Sequence, residues 1–455
     1  MRRLLLTGYL ALLSVMVFAQ QDDSLLIRKI ADEILVNGKA YDNLHELTKT
    51  IGPRLSGSPQ TYLAEQWAQK ALQAAGADKV WLQECTIPHW VRGGKDEAEW
   101  IVNNKKSPMK VLALGNSTGT GPQGITAPVI LINSFEELER KKDEIKGKIV
   151  FYNYKFNPRF VETFRSYGDA VIYRGVGASR AAKYGAVGML VRSMTHSTDN
   201  SPHTGAMRYD DHFPKIPALA VGLWDADKLA SALEQNENIQ VFLKTNAHAL
   251  PDTVGYNVIG ELTGSEFPDQ YITVGGHLDS WDPAEGAQDD GAGCVHSIEV
   301  LRVLKAIGYK PRHTIRIVLF SDEENKGGGA EKYSAEAMAK NEKHVFALES
   351  DAGGFTPRGF SVSLSESQFD RIQRWIPLLK EYGVYEFFRG DGGADVEPLS
   401  AKLKIPVGEL IPDSQRYFDI HHSSNDVFEN VNKRELELGA INMAALIYLI
   451  DQHGL

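Results

Sequence analysis

Apolar residues at Leu26, Ile27, Ile30, Ile34 and Leu35 are interleaved with charged ones at helical spacing and predict an early helix. The segment "GPRLSGS" (52–58) reads as a loop opening a second helix, with Ser58 as N-cap, Pro59 as first helical residue and Gly76 as stop. Leu63, Trp67 and Ala71 are expected to face inward from it. Between about Ala113 and Ala249 the pattern shortens. Strand-like "APVILIN", "KGKIVFYNY" and "VGMLVRS" alternate with helical "VGASRAAKYGA" and "WDADKLASALEQ", which suggests an inserted module. From about Asp252 strands and helices alternate: "YITVGG", then 291–307, "TIRIVLF", 330–340 and "VFALES". That order predicts an α/β fold whose mostly parallel central sheet carries helices on both faces.

Composition fits a soluble globular chain, with 43% hydrophobic and 24% charged residues among 455. The start, "MRRLLLTGYLALLSVMVFAQQDD", has two arginines, an apolar stretch and a small-residue site at Ala19, so residues 1–19 are expected to be a signal peptide and the protein exported. Without them 47 basic residues face 59 acidic ones, a balance that argues against nucleic acid or an anionic membrane as partner. No later apolar run is long enough to span a bilayer, and with only Cys85 and Cys294 the chain is not a disulfide scaffold.

Chemistry gathers where the predicted strands end. "HLDSWDPAEGAQDDGAG" (277–293) holds His277 and five acids, Asp279, Asp282, Glu285, Asp289 and Asp290. "SDEE" (321–324), "ESD" (349–351) and "HHSS" (421–424) close later strand-like runs. In an open α/β sheet the carboxyl ends of strands line one crevice, so these groups can converge. Imidazoles and carboxylates without cysteine suggest zinc. Three ligand carboxylates and a bridging hydroxide would be neutralised by two divalent ions, and the pair Glu323-Glu324 suits one general base and one ligand.

In combination, "HLDS…DDGAG", "FSDEENKGGGAEKY", "ESDAGG" and "HHSSND" resemble the motifs of the M28 family of zinc exopeptidases. "GPRLSGS", "GGADVEPL" and the doubled histidine add a similarity to its carboxypeptidase Q branch. The resemblance implies two zinc ions, one held by His277 and Asp351, the other by Glu324 and His422, with Asp289 bridging. It makes Glu323 the general base and acid, and Asp279 the group that orients His277. His422 is preferred to His421 because Ser423 follows it directly and Asp426 comes three residues later; His421 falls at a substrate-contacting position. Arg389 and Asp391 are candidates for a substrate's terminal charges, with a structural ion pair as the alternative.

The middle block resembles a protease-associated domain. The expected organisation is peptidase residues 20–112, insert 113–249 and peptidase residues 250–455. The implied activity is hydrolysis of dipeptides or short peptides. An aminopeptidase acting on longer peptides and a non-catalytic receptor-like protein are the alternatives, and a homodimer is compatible with similar proteins.

Overall fold

Along the strand His313–Phe320, Ile315, Ile317 and Leu319 join one buried cluster, while Val318 and Phe320 join another. This period-two alternation of two apolar faces marks a strand buried on both sides. The computed structural model describes residues 22–235 and 238–455, so the expected signal peptide lies outside the described residues. Among them, no helix is long and apolar enough to cross a membrane.

The fold is mixed α/β with two eight-stranded sheets. In spatial order the first contains Lys79–Val91, His248–Leu262, His313–Phe320, Phe267–His277, Lys343–Glu349, Val407–Pro412, Pro357–Ser363 and Glu386–Arg389. Its four middle strands, His313–Phe320 through Val407–Pro412, are mutually parallel, as expected. The flanks are not, because His248–Leu262 and Pro357–Ser363 both run antiparallel to their inner neighbours. Helices Ala292–Ala306 and Lys433–His453 pack with the cluster on one face, and Gly328–Ala339 and Glu397–Leu403 with that on the other.

The second sheet runs Lys105–Met109, Glu97–Val102, Gln240–Lys244, Ile125–Ile132, Ile149–Tyr152, Gly188–Arg192, Ala218–Val221 and Val111–Ala113. Three of its strands precede or end at residue 113, so this sheet starts earlier than the change of texture indicated. Two of them are largely half-exposed or exposed and the third, though buried, is only three residues long, so they carry too little apolar periodicity to announce the sheet.

The helix Pro59–Ala74 is capped by Ser58, whose hydroxyl accepts from the Thr61 N–H, and Gly76 follows its end at φ +91°. Trp67 is buried as expected, but the rest of the buried face is shifted: Ala64, Glu65, Ala68 and Leu72 are buried and Leu63 is half exposed. The small alanines let the helix lie close to the sheet, where a Cβ on Gly260 would come 3.1 Å from Leu72. Both cysteines are buried and free; Cys294 Sγ donates to the His277 carbonyl at 3.0 Å.

Candidate active site

Three neighbouring parallel strands end on one side of the first sheet, and their last residues or following loops supply His277, Glu323, Glu324 and Asp351. The loop after His277 is folded around a buried cation. Arg54 is 0% exposed and donates to the carbonyls of Leu278, Glu285 and Gly286 at 2.6 to 2.9 Å. Asp426 works from the other side, accepting the backbone N–H groups of Ala287, Gln288 and Asp289. Asp289 is thereby presented to the cleft on a braced backbone.

Asp289 offers a separate oxygen to each of two imidazoles. Its Oδ1 lies 3.3 Å from His277 Nε2, and its Oδ2 lies 3.1 Å from His422 Nε2. Asp351 Oδ1 is 3.2 Å from His277 Nε2, and Glu324 Oε2 is 3.0 Å from His422 Nε2. His421, stacked on His422 with ring centroids 3.5 Å apart, stands further off, its Nε2 at 3.7 Å from Asp289. The five expected ligands therefore converge. His421 lines the same cavity beside them.

The hydrogen bonding shows what this cluster lacks. His277 Nδ1 faces the Asp279 carbonyl at 3.0 Å, and His422 Nδ1 faces the Thr204 carbonyl at 3.3 Å. A carbonyl can only accept, so His277 Nδ1 carries the proton, and the Thr204 carbonyl, nearer than the Arg174 Nη1 at 3.5 Å, favours the same for His422; each Nε2 of a neutral ring then presents a lone pair. Those lone pairs point at carboxylate oxygens, acceptor against acceptor. The arrangement needs positive charge between them. Asp289 Oδ2 and Glu324 Oε1, both buried, have no hydrogen-bond donor. The titration behaviour agrees: burial alone would lower His277, but Asp351, Asp279 and Asp289 drive it well above its usual range. His422 is likewise raised to about 10 by Glu324 and Asp289 against its burial. Donor set, geometry and charge all suit divalent cations.

Asp279 faces His277 Nδ1 through its backbone carbonyl more closely than through its side chain. Its carboxylate is 3.6 Å from His277 Nδ1, further than its own carbonyl. The carboxylate instead accepts the backbone N–H groups of Glu323 and Glu324 and the Ser56 hydroxyl, so it positions the two glutamates. Of the remaining acids in that stretch, Asp290 accepts the N–H groups of His277 and Gly293, Asp282 holds Arg92, and Glu285 holds Lys49. Burial pushes the Glu323 carboxyl well above the usual carboxylate range, with His277 opposing and Asp351 and Glu324 reinforcing.

The cluster opens into a cavity of about 870 Å³ between the parts built on the two sheets, lined by Glu323, Asp351 and His422 on one side and Tyr167, Arg174 and Ala206 on the other. Arg389 and Asp391 do not line it. Arg389 pairs with Glu366 at 2.6 Å and stacks on Phe369, the structural alternative. Four residues beyond Asp391, Asp395 does line the cavity, 1% exposed and with neither carboxylate oxygen partnered. Arg174 is its positive counterpart. It is 8% exposed, its Nε has no acceptor, its Nη1 lies 3.5 Å from His422 Nδ1, and it forms no ion pair among the described residues. Arg54 and Arg174 were not singled out beforehand. The "GPRLSGS" segment carried the only trace of the first, and nothing local distinguishes the second.

The family profile described as Peptidase family M28 matches residues 257–447, which contain all five cation-facing side chains and Glu323. The chain belongs to this family and is a metallopeptidase. Within it, the chain is carboxypeptidase Q-like: it is 36% identical over 428 residues to carboxypeptidase Q of Homo sapiens, covering 93% of this chain and 88% of that one. The crystal structure of a peptidase M28 precursor from Shewanella amazonensis SB2B superposes with a TM-score of 0.90 at 32% identity, covering 95% of this chain and 97% of that chain. BSAP, a zinc aminopeptidase from Bacillus subtilis, shares the fold at a TM-score of 0.63 and 20% identity, covering 90% and 93%.

Proposed function

We propose that the protein is an exported exopeptidase that holds two zinc ions and hydrolyses dipeptides or other short peptides. The observation that carries this reading is Asp289, with one oxygen toward each imidazole. His277 and Asp351 would hold one ion, Glu324 and His422 the other, and Asp289 both. Zinc in such a site polarises a carbonyl and brings the pKa of water down to about 7.

The chain's own groups do the rest. Glu323, at the cavity wall and fixed through its backbone by Asp279, takes the proton from the attacking water and returns it to the leaving amine. Tyr167 and the helix Thr163–Ala182 that carries it roof the cleft and limit water around the reacting carbonyl. Arg174, a buried cation without an anion, is suited to a substrate's C-terminal carboxylate, and Asp395 to its ammonium. Recognition of both ends supports a dipeptidase over an aminopeptidase on long peptides. The second-sheet domain acts as a protease-associated-like wall of the cleft.

Elemental analysis with hydrolysis of free, N-blocked and C-amidated dipeptides tests the reading. Two zinc ions per chain and dependence on both free ends are expected. Ready cleavage of the C-terminal amide would favour the aminopeptidase, and a metal-free, inert protein would overturn the assignment.

A further inference from the structure

The two cation positions are not supported alike. His277 is held by Asp279 through its carbonyl and by Asp290 through its backbone N–H, both groups of the first-sheet domain. Glu324 and His422 depend on the second-sheet domain.

For His422 the support is the Thr204 backbone. Thr204 donates its N–H to the His422 carbonyl at 2.9 Å and turns its own carbonyl to Nδ1 at 3.3 Å. His422 itself sits at φ +59°, a left-handed conformation that costs a non-glycine residue about 1 kcal/mol and needs such anchoring. The Thr204 hydroxyl donates to the Ala113 carbonyl at 2.8 Å, and Gly115 exchanges hydrogen bonds with Gly205 and Met207, so 204–207 is knitted to the end of the strand Val111–Ala113.

For Glu324 the support is Trp281. Its indole N–H donates to Glu324 Oε2 at 2.5 Å, the oxygen nearest His422. Though it follows His277 by four residues, Trp281 is 3% exposed within the second sheet's core cluster, edge-on to Trp90 at 6.1 Å. Its six-membered ring lies against Gly115 so closely that a Cβ there would come 1.8 Å from it. The glycine at 115 is thus required by the ring, and the ring fixes the carboxylate.

We propose that docking of the second-sheet domain sets the cation affinity of the Glu324/His422 position, with Trp281 as its positioning residue, while the His277/Asp351 position is set by the first-sheet domain alone. The proposal rests on the two-ion reading above. The indole thereby orients the carboxylate whose Oε2 faces His422 Nε2 at 3.0 Å, and Oε1 has no donor of its own. Losing such an orienting partner typically costs about 10–100-fold in metal affinity. The Glu324/His422 half of the centre therefore reaches its full affinity only when the second-sheet part is seated.

The test is zinc titration of the metal-stripped full chain by calorimetry, with elemental analysis after dialysis against buffered zinc, for wild type, Trp281→Phe and Gly115→Ala. Trp281→Phe keeps a ring and removes the N–H; Gly115→Ala displaces the ring from the second domain without altering any ligand, and it serves if the first variant folds poorly. Each is expected to weaken one of two sites by about 10–100-fold and leave the other at wild-type affinity. Adding Trp281→Phe to His422→Ala is expected to change the remaining site no further. Equal weakening of both sites, or no change in either, would overturn the proposal with the two-ion reading intact. A wild type that binds a single ion would overturn both.

Discussion

On the proposed dipeptidase reading, replacing Arg174 by methionine should yield an enzyme that scarcely distinguishes a C-terminal acid from its amide. The guanidinium has five N–H donors, and two protein acceptors face it, the Thr204 carbonyl at 3.2 Å and the Tyr167 hydroxyl at 2.6 Å. Its Nε has none, and no carboxylate pairs with it, although it is 8% exposed. A buried cation in that state is costly until an anion arrives. Hydrogen bonds to charged groups contribute about 1.5–3 kcal/mol each, so two to a substrate carboxylate are worth at least about 3 kcal/mol. At about 1.4 kcal/mol per decade, kcat/KM for a free dipeptide should fall by roughly 100-fold. Methionine retains an apolar stem against Tyr167. The assay compares kcat/KM for a dipeptide and its C-terminal amide in both proteins, with zinc content measured alongside. The ratio of acid to amide should collapse toward one, with the loss appearing largely in KM. If acid and amide fall together, or zinc is lost, Arg174 merely supports His422 and the reasoning is refuted.

Glu65, buried beneath the Tyr256 N–H, is pushed by its burial from 4.5 up to about 7. Because the unfolded chain releases this proton more easily, folding stability declines as pH rises from about 4.5 to 7, and the whole penalty of about 3 kcal/mol is present above that. Glu65→Gln should therefore raise stability by up to about 3 kcal/mol at pH 8 and add nothing at pH 4; urea unfolding that finds the same difference at both pH values refutes this. Asp289→Asn replaces one of the two oxygens by an amide group and removes the negative charge that both imidazoles face, so zinc retained after dialysis should drop at both positions, and retention of two ions would contradict its shared role. Chelation should lower the melting temperature of the wild type, since a ligand at 100 times its Kd contributes about 2.7 kcal/mol, while leaving that of Asp289→Asn nearly unmoved.

The cation-facing residues were legible because each sits where a buried apolar strand meets a short polar motif, and the parallel order of those strands forces their ends together. His277, Glu324 and Asp351 follow from that logic, and His422 from its motif. Residues reaching the cleft from elsewhere have no such marker. Arg174 lies in a helix whose pattern records only its packing, and Thr204 acts through its backbone, which any residue type supplies. Trp281 reads as an ordinary core aromatic, and it is one; its indole N–H meets Glu324 only because the second sheet seats the ring. Arg389 and Asp391 misled because a glycine-rich, charged loop resembles a binding loop. The chain instead pairs Arg389 locally with Glu366 and turns Asp395 inward. The early strands of the second sheet escaped notice for want of an apolar face.

The central claim is that Glu323 carries the proton beside a two-ion centre it does not help to hold. Glu323→Gln, examined for zinc content and dipeptide turnover on the same preparation, tests it most directly. The expected result is two zinc ions per chain with kcat lowered by about 100- to 10,000-fold. Turnover near the wild-type rate would contradict the role of Glu323, and loss of either ion would show it to be a ligand instead.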